Sequence, residues 1–487
     1  MSTLRVDAPR VPPERFLRLV ARAFPECQPV GHLWSPSDGM RCAGWGAARR
    51  FEFEAEAPGG KMTGANGGAD FAAGVSDPGG RTAGAAIDRL AERALGLWAE
   101  LADADPLALR LYGGLAFDAG LAEGRPGPVD SAWDDFGAGS FVLPRVGYVA
   151  EAESAHLYAV LEGAEIAAGP RWRDRLERLG EELERGIAPA DGAGGNGSTP
   201  DGDPLALPGI LQSCDQPAVE EWMRRVDELR SDVSEGRLQK VVAARTVELG
   251  LDRPFGTLDL ARIAERLRRH MPTCTCFAFL RGGSIFFGAT PELLISRRGR
   301  RIETLALAGS IASDPSPDRR KELERLLLES AKDRLEHDLV VRFLVERLDR
   351  SCGAAAPSSA PGVRVLRNVL HLETPIRAAL AAAAEPPHVL RLVRALHPTP
   401  AVAGSPTVDA LAAIRRTEDR DRGWYAGPVG WFDGRGDGEF SIALRSCLAS
   451  GRKGLLYSGA GIVADSDPDR ELAETNLKLD AILGAWA

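Results

Sequence analysis

The predicted strands of this chain follow one another in runs instead of alternating with helices. Two apolar stretches, 275–280 and 284–288, flank a short Gly-Gly turn, and three more, 428–433, 439–448 and 455–464, succeed each other with no helix between them. Parallel strands need a long and usually helical crossover, whereas strands joined by short turns pair antiparallel. We therefore predict an α+β fold with large antiparallel sheets and with helices packed outside them.

A segment rich in glycine, serine and proline, 186–205, divides the chain of 487 residues. Its composition is that of a flexible linker, and it lacks apolar periodicity. We predict an N-terminal α/β region at 1–185, this linker or loop, and a catalytic region at 206–487. A second glycine-rich stretch, 58–80, is predicted to be a surface loop, because it lacks the glycine spacing of a phosphate-binding loop.

Composition and charge argue against several classes of protein. The net charge of −9, without a basic stripe, disfavours nucleic acid binding. The chain contains no uninterrupted apolar run of about 18 residues and no secretion signal, so neither a membrane span nor export is predicted. The seven cysteines are scattered without a C-x-x-C pair, which suits a reducing compartment. We predict a cytoplasmic protein.

The predicted final helix carries three charged residues on one face: Glu471, Glu474 and Lys478. Their i, i+3 and i+7 spacing keeps them within an arc of roughly 60°. Such spacing can simply reflect ion pairing on a solvated face. The preceding strand ends in Gly459-Ala460-Gly461, however, and small residues beside a helix start let a ligand approach the backbone. Both interpretations stay open at this point.

A second pair of carboxylates, Asp333 and Glu336, lies one turn apart in the predicted helical stretch 317–350. Together with Glu474 they could supply oxygen ligands to Mg²⁺, which needs few protein carboxylates. Zinc is disfavoured, because Glu336 and the adjacent His337 are not part of an H-E-x-x-H motif. The alternative is a solvated charged helix, since further charged residues surround the pair.

Two residues in apolar surroundings are candidates for a base and an acid. Lys240 opens a predicted strand whose neighbours on the same face are Val242 and Ala244. Burial lowers the pKa of a lysine, as a base near neutrality requires, although a strand-edge lysine can also reach water. Glu292 follows a Gly-Ala-Thr-Pro turn and precedes Leu-Leu-Ile, so an apolar wall could raise its pKa, or it could be an exposed turn residue.

Arg445 lies in an otherwise apolar predicted strand. A buried arginine demands a carboxylate partner, and a substrate carboxylate would be one. Tyr425 lies on the far side of the same predicted hairpin, in GWYAGPVGW. His371 and His397 are read by themselves as structural histidines.

Nine ordered motifs carry a family resemblance: KVVAAR, GATPELL, LALAGS, SAKDRLEHDLV, HLETPIRA, LHPTPAVAG, GWYAGPVGW, GDGEFSIALRS and GAGIVADSDPDRELAETNLK. In order and spacing they resemble the chorismate-utilising enzymes, which include isochorismate and salicylate synthases and the synthase subunits for anthranilate and aminodeoxychorismate. The resemblance is dense over 215–485 and weak before it. It implies the fold of that family, a Mg²⁺ complex of chorismate, and loss of the C4 hydroxyl as a nucleophile adds at C2.

The resemblance also implies a role for each matched position. Lys240 matches the lysine that activates water, and Glu292 matches the acid that protonates the departing hydroxyl. Glu336 and Glu474 match the metal ligands, with Asp333 and Glu471 behind them. The remaining matched positions surround the substrate: Gly309, Ser310, His371, Ala401, Tyr425, Arg445, Gly461 and Lys478.

Three positions favour one branch of this family. Lys240 points to water as the nucleophile, because the ammonia-using relatives lack a basic lysine there. Ala308 stands where aminodeoxychorismate synthases carry a nucleophilic lysine, and Ala401 where salicylate synthases usually carry threonine. The resemblance therefore implies isochorismate synthesis, an isomerisation with no glutamine amidotransferase subunit. The motifs GWYAGPVGW and GDGEF, together with a sizeable N-terminal part, resemble the menaquinone-pathway enzymes more than the siderophore-pathway enzymes. The alternatives are a salicylate synthase and a non-catalytic chorismate-binding subunit.

Overall fold

A computed structural model describes most of the chain. The described residues are 1–34, 41–53, 87–88, 90–93, 96–97, 109–118, 131–151, 153–185, 206–380 and 386–487. The predicted surface loop at 58–80 and the predicted linker at 186–205 lie outside these ranges.

The described residues before 291 include ten strands and the five helices named here. The strands are β1 Ser2–Asp7, β2 Pro29–Trp34, β3 Arg41–Phe53, β4 Leu111–Leu115, β5 Gly139–Ala150, β6 Ala155–Leu161, β7 Ile210–Gln216, β8 Lys240–Leu251, β9 Thr275–Arg281 and β10 Ser284–Thr290. The helices in this described part are α1 Pro13–Ala23, α2 Ala164–Ala167, α3 Gly169–Arg185, α4 Val219–Ser234 and α5 Thr257–His270.

The rest of the chain supplies another ten strands and five helices among its described residues. The strands are β11 Leu293–Arg298, β12 Arg301–Ala312, β13 Gly353–Pro357, β14 Gly362–Val365, β15 Val369–Leu380, β16 Gly404–Ser405, β17 Pro428–Phe432, β18 Gly438–Ile442, β19 Ser446–Ser450 and β20 Lys453–Ile462. The helices are α6 Pro317–Glu329, α7 Ala331–Cys352, α8 Val389–Leu396, α9 Thr407–Thr417 and α10 Pro468–Trp486. None of the described helices is long and apolar enough to cross a membrane.

All described strands pair antiparallel and form one hydrogen-bonded network, as predicted. A first layer runs in the order β7, β8, β20, β19, β10, β9, β2, β3, β5. A second layer runs in the order β4, β17, β18, β11, β12, β15. Strand β5 also pairs with β4, so the two layers are joined there.

Side-chain alternation in β9 builds two separate cores. Phe277 and Phe279 pack in an inner core with Trp424 and residues of the second layer. Cys276 and Ala278 point the other way, into an outer core that includes residues of helices α1, α5 and α10. Successive strand residues face opposite sides, and each fully buried phenylalanine contributes about 1.5–3 kcal/mol. Helices α1, α5 and α10 therefore cover the outer face of the first layer, in agreement with the predicted packing of helices outside the sheets.

The regions 1–185 and 206–487 share this sheet. Strand β2 pairs with β9, and β4 pairs with β17. The side chain of Trp133 adds a further contact, since its Nε1 donates a hydrogen bond of 2.9 Å to the hydroxyl of Tyr457. The domain division itself stays a prediction, because the segment on which it depends is not described.

Two predicted elements are each broken in two. The helical stretch 317–350 is interrupted at Ser330, whose side chain accepts a hydrogen bond from the amide of Asp333 and caps α7. The predicted strand 439–448 is divided into β18 and β19 at Arg445, which has a φ of 47°. Arg445 lines the cavity described next, and Ser330 caps the helix that carries Glu336 to it.

Candidate active site

A cavity of about 790 Å³, including its mouth, lies beside the inner core. Its wall is formed by parts of β8, β12, β15, β20, α7, α10 and the connections around 291, 401 and 425. All predicted catalytic and substrate-binding residues and two of the predicted metal ligands line it: Lys240, Glu292, Gly309, Ser310, Glu336, His371, Ala401, Tyr425, Arg445, Gly461, Glu474 and Lys478. Asp333 and Glu471 do not line it and lie behind Glu336 and Glu474.

Lys240, the first residue of β8, is almost fully buried, with 1% of its surface exposed. Its Nζ donates a hydrogen bond of 2.6 Å to Glu336 Oε1. The neighbouring strand β20 contributes Gly461, where a Cβ atom would lie only 2.8 Å from Lys240 Cε. Glycine at position 461 therefore provides the space that the lysine side chain occupies.

Glu292 lies between β10 and β11 and is buried, with 6% exposure. Its amide donates to Thr290 Oγ1, and its carbonyl accepts from the amide of Ile442, so the backbone is fixed on both sides. Burial raises the pKa of the Glu292 carboxyl to about 7, although the positive charges of Lys240 and Lys478 oppose the rise. About half of such carboxyls hold a proton at neutral pH, against about one in 500 for a free glutamate.

Glu336 and Glu474 bring two carboxylates to the cavity from α7 and α10. Burial would raise the pKa of Glu336, but the charge and hydrogen bond of Lys240 lower it below its ordinary value. Glu474 Oε1 accepts a hydrogen bond of 2.6 Å from Lys478 Nζ, which also donates to the carbonyl of Gly459 at 2.8 Å. Each carboxylate is thus neutralised by a lysine of the same cavity.

Asp333 and Glu471 hold protons more firmly than free carboxyls. Burial raises the pKa of Asp333, and the charge of Glu336 adds to this rise. Burial and then the charge of Glu474 raise the pKa of Glu471 to about 7. Asp333 Oδ1 also accepts a hydrogen bond of 3.2 Å from the amide of Ser310, which ties α7 to the cavity wall. This edge of the cavity therefore collects four carboxyl groups around two lysines, Lys240 and Lys478.

The carboxylates suit a hard divalent cation, although they do not form a preformed metal centre. Among the described residues, no group of three or more His, Cys, Asp and Glu side chains is arranged to hold a metal ion. Mg²⁺ commonly takes only one or two protein carboxylates and completes its shell with waters and substrate oxygens. Glu336 and Glu474 can supply these carboxylates, provided that the hydrogen bonds from Lys240 and Lys478 to the glutamate oxygens open.

Arg445 supplies a buried positive charge to the opposite part of the cavity. Its Nη2 lies 3.3 Å from His371 Nε2, and His371 Nδ1 lies 3.3 Å from the carbonyl of Gly309. Burial, and next the charge of Arg445, hold the pKa of His371 well below its ordinary value, so the ring is neutral and donates from Nδ1. Within the described residues no carboxylate pairs with Arg445. Its guanidinium can therefore receive an anionic ligand.

Sequence reasoning missed several residues of this cavity, among them Tyr457 and Arg422. Tyr457 stacks on Tyr425 with ring centroids 5.0 Å apart. It lies on the same face of β20 as Gly461, so period-two alternation from that glycine would have found it. Arg422 stands in the charged string Asp-Arg-Asp-Arg, where no sequence pattern separates a buried arginine from its exposed neighbours.

The comparisons with known proteins agree with this geometry. Residues 81–487 match the family model described as a chorismate binding enzyme. The chain therefore belongs to the chorismate-binding enzyme family.

Three relatives show which members of the family it resembles. The chain is 38% identical over 382 residues to the salicylate biosynthesis isochorismate synthase of Pseudomonas aeruginosa, covering 77% of this chain and 74% of the relative. It is 33% identical to isochorismate synthase MenF of Bacillus subtilis, with the same coverages of 77% and 74%. The solved structure of MenF, the menaquinone-specific isochorismate synthase from Escherichia coli, matches 100% of this chain and 94% of that chain with a TM-score of 0.72 and 25% identity.

Proposed function

We propose that this protein is an isochorismate synthase, which adds water at C2 of chorismate and removes the hydroxyl at C4. One observation carries the proposal. A buried amine, Lys240, and a carboxyl with a pKa of about 7, Glu292, line one cavity. General acid–base catalysis needs a base and an acid that are directed at one substrate, and the pKa of Glu292 near the working pH suits the acid.

Lys240 is the proposed base. It takes a proton from water, and the oxygen forms a bond to C2 of the ring. The Lys240–Glu336 pair of 2.6 Å must open before Lys240 Nζ can reach the attacking water.

Glu292 is the proposed acid. As the new C–O bond forms at C2, the ring double bonds shift and the C4–O bond breaks. Glu292 gives its proton to the departing hydroxyl, which leaves as water. One water enters and one leaves, so the reaction is an isomerisation, and a proton must return from Lys240 to Glu292 before the next turnover.

The substrate carboxylates have two proposed partners, Arg445 and Lys478. Arg445 is buried without a carboxylate partner in the described part of the chain, so pairing with a substrate carboxylate compensates its desolvation. Tyr425 and Tyr457 stack beside the ring region. Because water supplies the nucleophile, the reaction requires no glutamine amidotransferase partner.

We propose that Glu336 and Glu474 hold a Mg²⁺ ion, with Asp333 and Glu471 behind them. A bound ion would neutralise a substrate carboxylate and fix its position against the two carboxylates. Burial raises the pKa values of Asp333 and Glu471, and the charges of Glu336 and Glu474 add to the rise. A cation held by Glu336 and Glu474 would compensate those two charges.

Salicylate synthase is the rival enzyme. The decisive experiment incubates purified protein with chorismate and Mg²⁺ and resolves the products by chromatography at early times. We expect isochorismate in equilibrium with chorismate. Salicylate and pyruvate as the main products from the outset would contradict the proposal, and no turnover at all would favour a non-catalytic subunit. We assign the product to menaquinone biosynthesis, as the two MenF relatives suggest, although another relative acts in salicylate biosynthesis.

Glu474→Ala is expected to raise the half-saturating Mg²⁺ concentration at least about tenfold, because one of the two cavity carboxylates is lost. The measurement is a Mg²⁺ titration of initial rates at saturating chorismate. Glu346→Ala is the matched control, since Glu346 forms an exposed i,i+4 pair with Arg350 as Glu474 does with Lys478. An unchanged titration for Glu474→Ala would rule out its role as a ligand.

A further inference from the structure

Strand β8, which carries Lys240, has a gap along one of its edges. On the inner side β20 pairs with β8 without interruption from Val241 to Gly250. On the outer side β16 reaches only Lys240 and Val241, and β7 begins to pair at Thr246. The last backbone bond before the gap joins the amide of Val242 to the carbonyl of Ala403.

Side chains replace the missing strand at this gap. The carbonyl of Val242 and the amide and carbonyl of Ala244 point into the gap, since alternate residues of an antiparallel strand direct their backbone groups to the same edge. Arg422 Nη2 donates to the Val242 carbonyl at 2.7 Å, and the Ala244 amide donates to Glu418 Oε1 at 2.9 Å. Arg225 Nη1 reaches the Ala244 carbonyl at 3.4 Å. Buried backbone groups need such partners, so the gap is closed by an ion pair.

Glu418 and Arg422 form that ion pair in an almost dry environment. Their side chains are 6% and 4% exposed, and Arg422 Nε donates to Glu418 Oε2 at 2.8 Å. Arg422 Nη1 donates to the carbonyl of Val402 at 2.9 Å. Arg422 therefore joins β8, two residues after Lys240, to the cavity wall formed by Ala401 and Val402.

We propose that Glu418 is a positioning residue for the reaction: through Arg422 and the Ala244 amide it fixes the backbone of β8, and thereby the place of Lys240 relative to the ring. Glu418 does not line the catalytic cavity, whereas Arg422 does. The inference rests on the proposed function, because it assumes that Lys240 acts on the substrate. A displacement of about 1 Å in such a group can lower a rate about 100-fold.

The test compares Glu418→Gln with wild type by steady-state kinetics on chorismate and by thermal melting. Glutamine keeps the size of the side chain and an oxygen for Ala244, but it loses the charge that holds Arg422. We expect kcat to fall about 10- to 100-fold while KM changes by less than about threefold, because the contacts to the substrate carboxylates remain.

The control is Glu14→Gln, which breaks an ion pair between the buried Glu14 and the partly exposed Arg268. Glu14 lies in α1, away from the cavity. We expect its kcat to match wild type even where its melting temperature falls as much as that of Glu418→Gln. An equal loss of kcat in both variants would overturn the positioning role, and so would an unchanged kcat in folded Glu418→Gln.

Two further comparisons keep the test decisive. If Glu418→Gln does not fold, Glu418→Asp replaces it, since aspartate keeps the charge but withdraws its oxygen from the Ala244 amide. The same outcomes then apply. If wild type forms no isochorismate, the proposed function fails; if wild type does and the Glu418 variant equals it, only the positioning role fails.

Discussion

Glu292→Gln is expected to lower kcat by about 10²- to 10⁴-fold while leaving chorismate binding largely unchanged. Glutamine has nearly the same size as the buried glutamate but cannot give a proton to the departing hydroxyl. The measurement pairs initial rates of isochorismate formation with calorimetric titration of the variant by chorismate in the presence of Mg²⁺. Loss of binding instead of turnover would assign Glu292 a structural role.

The pH dependence of the wild type provides an independent check on Glu292. Its acid form is the active one, and burial raises its pKa to about 7. With Lys240 already unprotonated, as its role as the base requires, we expect kcat/KM to fall as pH rises above about 7, since a deprotonated carboxyl cannot act as the acid. Glu14→Gln should keep this falling limb. A profile that is flat from pH 6 to about 9 would contradict the assignment of the acid.

Lys240→Gln is expected to lower kcat by a similar factor, about 10²- to 10⁴-fold, because the proposed base is lost. Glutamine can still donate a hydrogen bond to Glu336, so the buried carboxylate keeps a partner and the variant tests chemistry more than packing. The measurement is the rate of isochorismate formation over a range of pH. Circular dichroism and melting temperature establish that the variant is folded.

The matched control is Lys453→Gln, because Lys453 lies on strand β20 and forms an exposed ion pair with Glu248. We expect this variant to retain wild-type turnover. Unaltered turnover in Lys240→Gln would remove the lysine from the mechanism, and with it the argument that water is activated by an amine. If Lys240→Gln also failed to bind chorismate, the lysine would serve binding.

The proposed base and the proposed acid are held by different kinds of structure. Lys240 depends on long-range features: the gap in β8, the ion pair with Glu336, and the missing side chain at Gly461. Glu292 depends less on side-chain partners, because the hydroxyl of Thr290 and the amide of Ile442 on β18 fix its backbone. We therefore expect the position of Lys240 to be sensitive to substitutions far along the chain, as the Glu418 test examines.

The sequence by itself determined the antiparallel architecture and the chemical types of the site residues. Runs of strands without intervening helices imply antiparallel pairing, because short turns cannot make parallel crossovers. The apolar stretch 275–280 predicted a strand, and the structure shows that β9 packs its two faces into two cores. The motifs located the residues of one cavity, because a family resemblance records contacts that local periodicity cannot. Their catalytic and metal-binding roles stay predictions.

Which charges pair and where the helices and strands are interrupted could be learned only from the three-dimensional packing. Lys240 pairs with Glu336, 96 residues away. Arg422 closes the gap between β7 and β16 along the edge of β8, and the sequence of β8 alone gives no sign of that gap. Ser330 ends a continuous helical pattern, because its side chain caps a new helix against the cavity wall. These cases share one cause. Buried backbone groups and charges are costly without a partner, so each must pair with a polar group nearby in space. Packing determines which group is nearby, whatever its position along the chain.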